Sequence, residues 1–313
     1  MWFVSNLFIF QQENLSKGVL ISVNPGDNVF SIAKNLKDEG LIKSFWAFVI
    51  YCFLSGNYKH FQPGVYFISS DNVLNIFQIV EMMTSKPTEV TVTIVPGMTV
   101  KEIDSALLEA KVLDKESLEK LDLSPLKKDF PFLLEANSLE GFLLPDTYNF
   151  FLSMNPYDVS RIILLNFSKK AWPLLSLSKN PYETLIVASL LEKEVITLED
   201  KKVVAGIIEK RLKNNMPLQI DASIVYAVCD KKFTNCPALK KSDFLVESKY
   251  NTYKFNGLPP TPISNPYLDS IKAALSPISS NYLYYLSDPN TKKTIFSKTL
   301  EAHTINRRLY LGL

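Results

Sequence analysis

Glu192 is the carboxylate whose neighbours in the chain suit acid chemistry. Leu185, Ala188 and Ser189 stand seven, four and three positions before it, which is one face of a helix. A carboxylate that follows an apolar, small-residue face looks into packed protein or a cleft. Burial there disfavours the charged form and raises the pKa, as a general acid working near neutrality requires. A surface glutamate paired with a lysine at the same helix end is the other reading, and periodicity leaves both open. Glu194, two positions on, points elsewhere and reads as structural.

Three further segments put polar groups in unusual company. Residues 139–148 set Glu140 and Asp146 inside an apolar, turn-forming stretch that ends at Tyr148, where each carboxylate needs partners. Leu218-Gln219-Ile220-Asp221 places Gln219 and Asp221 on one side of a short extended piece. Tyr250-Asn251-Thr252-Tyr253, followed by Gly257-Leu258-Pro259-Pro260, is a rigid loop carrying hydroxyls and an amide. That composition suits sugar recognition and ordinary loop structure alike.

Scarce residues exclude other chemistries. The ten glycines are never closer than eight positions, so neither a GxGxxG fingerprint nor a GxxxxGK[ST] phosphate loop can be written. Only His60 and His303 are present, which rules out an HExxH zinc site and restricts any Ser/His/Asp triad to one of those two. Lys and Arg total 34 against 32 Asp and Glu, so no overall field gathers nucleic acid. The three cysteines, Cys52, Cys229 and Cys236, cannot close a full disulfide framework, and the last two are not spaced as a zinc pair. A local Cys229–Cys236 disulfide stays open for an oxidising compartment.

With 313 residues, 47% of them hydrophobic, the chain has length for about two domains and apolar content for a sizeable core. Val19–Val23 alternates as a strand, Asn24-Pro25-Gly26-Asp27 turns, and Val29–Leu36 has helical spacing. Phe45–Leu54 is ten apolar residues, too short to span a bilayer and read as a buried helix. A strand over Val65–Ile68 and a helix over Val73–Met83 complete a small unit, with a boundary near Ser85 to Glu89. Beyond it come a strand over Val90–Val95, a helix over Val100–Glu109 and short helices within 111–134. Asn180, Pro181 and Glu183 predict a capping box opening the Glu192 helix, and Thr197 with Asp200 predicts a second box. The expected class is α+β, a small α/β module followed by a larger α+β domain.

Residues 139–148, Ala188 to Glu194, Leu218 to Asp221 and Tyr250 to Pro266, in this order and spacing, closely resemble successive motifs of the YceG-like (MltG) endolytic murein transglycosylases. The resemblance covers residues 19–312. It implies that residues 19–86 form a LysM-like module and 90–313 the catalytic domain, and that residues 1–18 are the remnant of a membrane anchor. The acid it implies is the first Glu of Glu-Lys-Glu, Glu192 here. The chain departs from the family's pattern at Val195, Ala222, Thr261 and Thr294.

The reaction so implied cleaves the β-1,4 bond between N-acetylmuramic acid and N-acetylglucosamine inside a glycan strand and leaves a 1,6-anhydro end. Attack by the sugar's own C6 hydroxyl lets one carboxyl serve as acid and then base, with neither metal nor organic cofactor. Gln219, Asp221, Asn251 and Tyr253 are expected to bind the sugars, while Glu140, Asp146, Tyr148 and Ser189 support the cleft. Peptidoglycan strands are the implied partner, with cell-wall synthases beside them and no nucleic acid. The implied location is the cytoplasmic (inner) membrane, single-pass and membrane-tethered, with the catalytic domain outside. A hydrolytic muramidase using Asp221 or Glu140 as a second carboxylate, and a noncatalytic wall-binding protein, are the alternatives.

Overall fold

Val19–Val23 (β1) pairs antiparallel with Gly64–Ile68 (β2), Val19 opposite Ile68. In this computed structural model, which describes residues 19–68, 75–85 and 89–312, the pair is covered by three helices. The first, Val29–Asp38 (α1), opens on a capping box between Asn28 and Ser31 and buries Val29, Ile32, Ala33 and Leu36. Phe45–Leu54 (α2) buries Ala47, Phe48, Val49 and Cys52, but Trp46, Ile50, Phe53 and Leu54 stay exposed, so only half of it is the expected buried helix. Ile76–Thr84 (α3) starts at an Asn75 cap; the first residues of the expected 73–83 helix lie outside the described residues. Ile21, Ile32, Leu36, Phe48, Ile79 and Met83 share one core.

The second half begins with Glu89–Ile94 (β3) and Val100–Glu109 (α4), the latter held by a Thr99–Glu102 capping box. After Ser124–Asp129 (α5), Asp146–Phe151 (β4) returns to pair with β3. Pro156–Lys170 (α6) and Trp172–Leu175 (α7) follow. Pro181–Glu194 (α8), Leu198–Lys213 (α9), Asp221–Val228 (α10) and Leu268–Leu275 (α11) then surround the candidate residues. Tyr284–Ser287 (β5) and Thr294–Ser297 (β6) form a third antiparallel pair before Leu300–Leu311 (α12). Separate two-stranded sheets among many helices make the fold α+β.

Two helix starts differ from expectation. Asn180 makes no side-chain cap to α8; its amide donates to Glu183 Oε2 at 3.2 Å. Thr197 does cap α9 through the Asp200 N–H at 3.1 Å, but Asp200 turns outward to accept from Thr294 Oγ1 at 3.0 Å, leaving half a box.

The single-pass membrane placement requires correction. Among the described residues no helix is long and apolar enough to cross a membrane, and α2 has ten residues where about 20 are needed. Residues 1–18, which the resemblance implies are the remnant of an anchor, lie outside the described residues.

Close helix packing fixes one glycine. A β carbon at Gly206 on α9 would lie 2.1 Å from the Ile278 carbonyl oxygen, where the chain leaves α11 and Ile278 N–H bonds Lys202 O at 2.9 Å. Gly206→Ala is expected to cost about 3 kcal/mol by overpacking, read as a lower urea midpoint. An unchanged midpoint would contradict this contact.

Candidate active site

Consecutive side chains on a helix diverge by about 100°, so the last three residues of α8 face three different walls. Glu192 faces α9 and the start of α11. Lys193 faces the Pro96–Gly97 turn and the loop after α10. Glu194 faces the start of α10 and β5.

Both readings of Glu192 contribute to what is found. Its side chain is 9% exposed and its partner's 6%, so the carboxylate is buried, and the partner is a lysine. Lys201 Nζ lies 3.1 Å from Oε1, while Oε2 accepts from Tyr267 N–H at 2.9 Å and Ser270 Oγ at 2.7 Å. Each oxygen is committed to a donor on another element, and the group fastens α8 to α9 and α11.

Two positions on, Glu194 stands in a different environment. The Tyr285 hydroxyl and the Ala222 N–H lie near its carboxyl, with Asp221 and Arg211 close enough to act on its charge. Burial, reinforced by the negative Asp221, pushes it up to about 7, against the pull of Tyr285, Ala222 and Arg211. Such a carboxyl can hold and release a proton at neutral pH. The helical spacing of residues 185–194 carries no sign of this, since the groups concerned come from α10 and β5. The run Tyr282-Leu283-Tyr284-Tyr285 was the available signal for Tyr285.

Gln219 and Asp221 are both exposed, Asp221 near this group, but they do not lie on an extended piece. Gln219 has φ of +52°, its N–H bonded to Thr252 O at 3.0 Å, and Asp221 opens α10. Thr252 also accepts the Ile220 N–H at 2.9 Å, so the 250–253 loop shapes this turn. Tyr253 donates its hydroxyl to Asp221 Oδ1, joining the two motifs. Asn251 is fully buried. Its amide donates to Phe244 O at 3.0 Å and Val246 O at 2.9 Å and accepts from Tyr253 N–H at 3.0 Å. All of its polar side-chain atoms are used inside the loop, which it shapes.

Glu140 and Ser189 tie together elements that are distant in sequence. Glu140 accepts from Val100 N–H at 3.1 Å, Asn265 Nδ2 at 3.1 Å and Tyr226 Oη at 3.0 Å, tying α4, α10 and the 263–266 segment together. Ser189 Oγ accepts the Ile263 N–H at 3.1 Å, and Ser264 Oγ bonds Ser189 O at 3.0 Å. Asp146 and Tyr148 do their work elsewhere: Asp146 pairs with Lys170 at 2.5 Å and Asn166 at 2.9 Å, and Asn166 also reaches Tyr148 Oη at 2.9 Å. They hold β4 to α6.

Burial raises Glu140 to about 8, opposed by the hydrogen bonds from Val100 and Tyr226. The folded chain therefore keeps a proton that the unfolded chain has lost above its ordinary carboxylate range. The associated stability is full below that range and lost as pH rises toward 8. Glu140→Gln, which cannot ionise, is expected to flatten part of the stability decline between about pH 5 and 8, followed by urea unfolding across that range. An unaltered decline would contradict the assignment.

The disulfide left open by the sequence is formed, with Cys229 and Cys236 Cα atoms 5.8 Å apart. A cavity of about 420 Å³ near the first turns of α8 is lined by Asn180, Glu183, Val187 and Glu209 and includes neither Glu192 nor Glu194.

Against known proteins, the sequence model described as the YceG-like family matches residues 21–308. A Bacillus subtilis (strain 168) protein named endolytic murein transglycosylase is 31% identical over 318 residues, covering 94% of this chain and 85% of that one. A protein of the same name from Streptococcus pneumoniae serotype 2 (strain D39) is 30% identical over 326 residues. There the match covers 94% of this chain, which spans 58% of the pneumococcal protein. The crystal structure of a yceG-like protein from Listeria monocytogenes superposes with a TM-score of 0.60 at 28% identity, covering 92% of this chain and 99% of that one.

Proposed function

Because this chain belongs to the YceG-like family, we propose that it is an endolytic murein transglycosylase, a lyase that cuts the β-1,4 bond between N-acetylmuramic acid and N-acetylglucosamine within peptidoglycan strands. The observation that carries the reading at the level of chemistry is Glu194, a half-buried carboxyl held to about 7 beside Asp221. It donates its proton to the departing glycosidic oxygen. The muramic acid C6 hydroxyl attacks C1, and its proton returns to the Glu194 carboxylate. The product is a 1,6-anhydro end, no water is consumed, and the internal nucleophile needs no second carboxylate to position it.

Asp221, oriented by Tyr253, stabilises positive charge growing at C1. Gln219, exposed at the turn, binds sugar amides or hydroxyls. Glu192, the acid implied by the motif resemblance, has both oxygens engaged by Lys201, Tyr267 and Ser270 and is assigned to holding α8 in place. Residues 19–86 serve as a LysM-like module and 90–313 as the catalytic domain, with cell-wall synthases as partners in assembling and terminating glycan strands.

Digestion of purified glycan strands in oxygen-18 water tests the reaction. Anhydro ends without label are expected. Labelled reducing ends would replace this reading with a hydrolase, and absence of any product would leave a wall-binding protein.

A further inference from the structure

Lys193, the middle residue of Glu-Lys-Glu, is held by two elements far from it in sequence. Its Nζ donates to Gly97 O at 3.2 Å and sits 3.7 Å from the centroid of the Phe233 ring. Gly97 has φ of +82°, and a β carbon there would lie 3.3 Å from Lys193 Cδ, so the side chain runs flat along the turn. Phe233 belongs to the loop closed by Cys229–Cys236. That loop is clamped to α4: Glu102 Oε1 accepts the Phe233 N–H at 2.8 Å, the Thr234 N–H at 2.7 Å and Thr234 Oγ1 at 2.7 Å. Lys232 reaches Ser105 Oγ at 3.1 Å from the same loop.

We propose that Phe233, presented by the disulfide-closed loop, is a positioning residue for the transglycosylase reaction: its ring face and the Gly97 carbonyl hold the Lys193 ammonium and so fix the last turn of α8, which carries Glu194. The inference rests on the function proposed above. A cation over an aromatic face is attracted by the ring quadrupole, most strongly where water is excluded. Burial lowers the Lys193 pKa, consistent with an ammonium taken out of water. Glu192 pins the same turn from the α9 side, so the ring completes a grip on two sides. The disulfide shortens the excursions open to the loop, and its reduction frees the clamp from one end.

Two substitutions separate ring electrostatics from apolar filling. F233L keeps an apolar side chain and removes the quadrupole, while F233W keeps both. F233L is expected to lower kcat about tenfold with KM little changed, and F233W to keep most of it. Amide hydrogen exchange at Lys193 to Val195 is expected to quicken in F233L and on dithiothreitol reduction of the wild type, which alters no other side chain. Equal kcat in F233L and wild type, with unchanged exchange, would overturn the proposal; so would F233W failing in parallel with F233L. Exchange is read without substrate, so it judges the positioning role even if wild-type chain gives no anhydro product and the parent reading falls.

Discussion

Glu194→Gln loses turnover on glycan strands by about 10³-fold, the scale on which a positioned acid and base contributes, while substrate binding and the thermal midpoint hold. The amide keeps the size of the carboxyl and its place near Tyr285 and Ala222, but it has no acidic proton to give and cannot take one back. In the wild type the active form is the protonated carboxyl, so kcat/KM falls as pH rises through about 7, the value to which burial and Asp221 bring Glu194. Asp221→Asn removes the neighbouring negative charge. The alkaline limb then moves to lower pH, because the charged form of Glu194 is opposed by one charge fewer. A pH–rate profile of the two proteins reads this shift directly, and a limb that stays in place would separate Asp221 from the acid.

The second large effect is on stability. Glu192→Ala leaves Lys201 as a buried ammonium facing no carboxylate, together with the Tyr267 N–H and Ser270 hydroxyl that shared it. Removing one partner of a buried ion pair costs about 4 kcal/mol, and three elements lose their common anchor. Replacing both members, Glu192→Ala with Lys201→Met, removes the stranded charge and restores much of the loss. Urea unfolding of wild type, single and double variants tests it: a double variant no more stable than the single one would show that the pair is not what holds α8. Glu192→Gln, milder in packing, is expected to keep substantial turnover, in contrast to Glu194→Gln.

What could be read from the chain was what local periodicity governs. Helix α4 runs from Val100 to Glu109, β1 and α1 lie where alternation and helical spacing put them, and α2 lies on the ten-residue apolar run. Strand β4 escaped notice because Asp146–Phe151 gains its partner from β3, more than fifty residues earlier. Its first residues read only as an apolar turn with carboxylates. The site shows the same divide. Glu140 and Ser189, expected as supports, each bond to elements distant in sequence. Asn251 looked like an amide for sugars, but the carbonyls it serves, Phe244 and Val246, belong to an irregular loop with no period to reveal them. Gln219 was expected on an extended segment, and its left-handed backbone follows from a tertiary bond to Thr252. Which walls Glu192 and Glu194 face is set by folding, and a face that follows apolar residues holds a buried ion pair without any local sign of it.

The account stands most directly on the products released from purified glycan strands by wild type, Glu194→Gln and Glu192→Gln at equal concentration, read by mass spectrometry. Anhydro-ended fragments from the wild type and Glu192→Gln, and none from Glu194→Gln, are the predicted result. Anhydro-ended fragments from Glu194→Gln, with Glu192→Gln folded and silent, would contradict it and return the acid to Glu192.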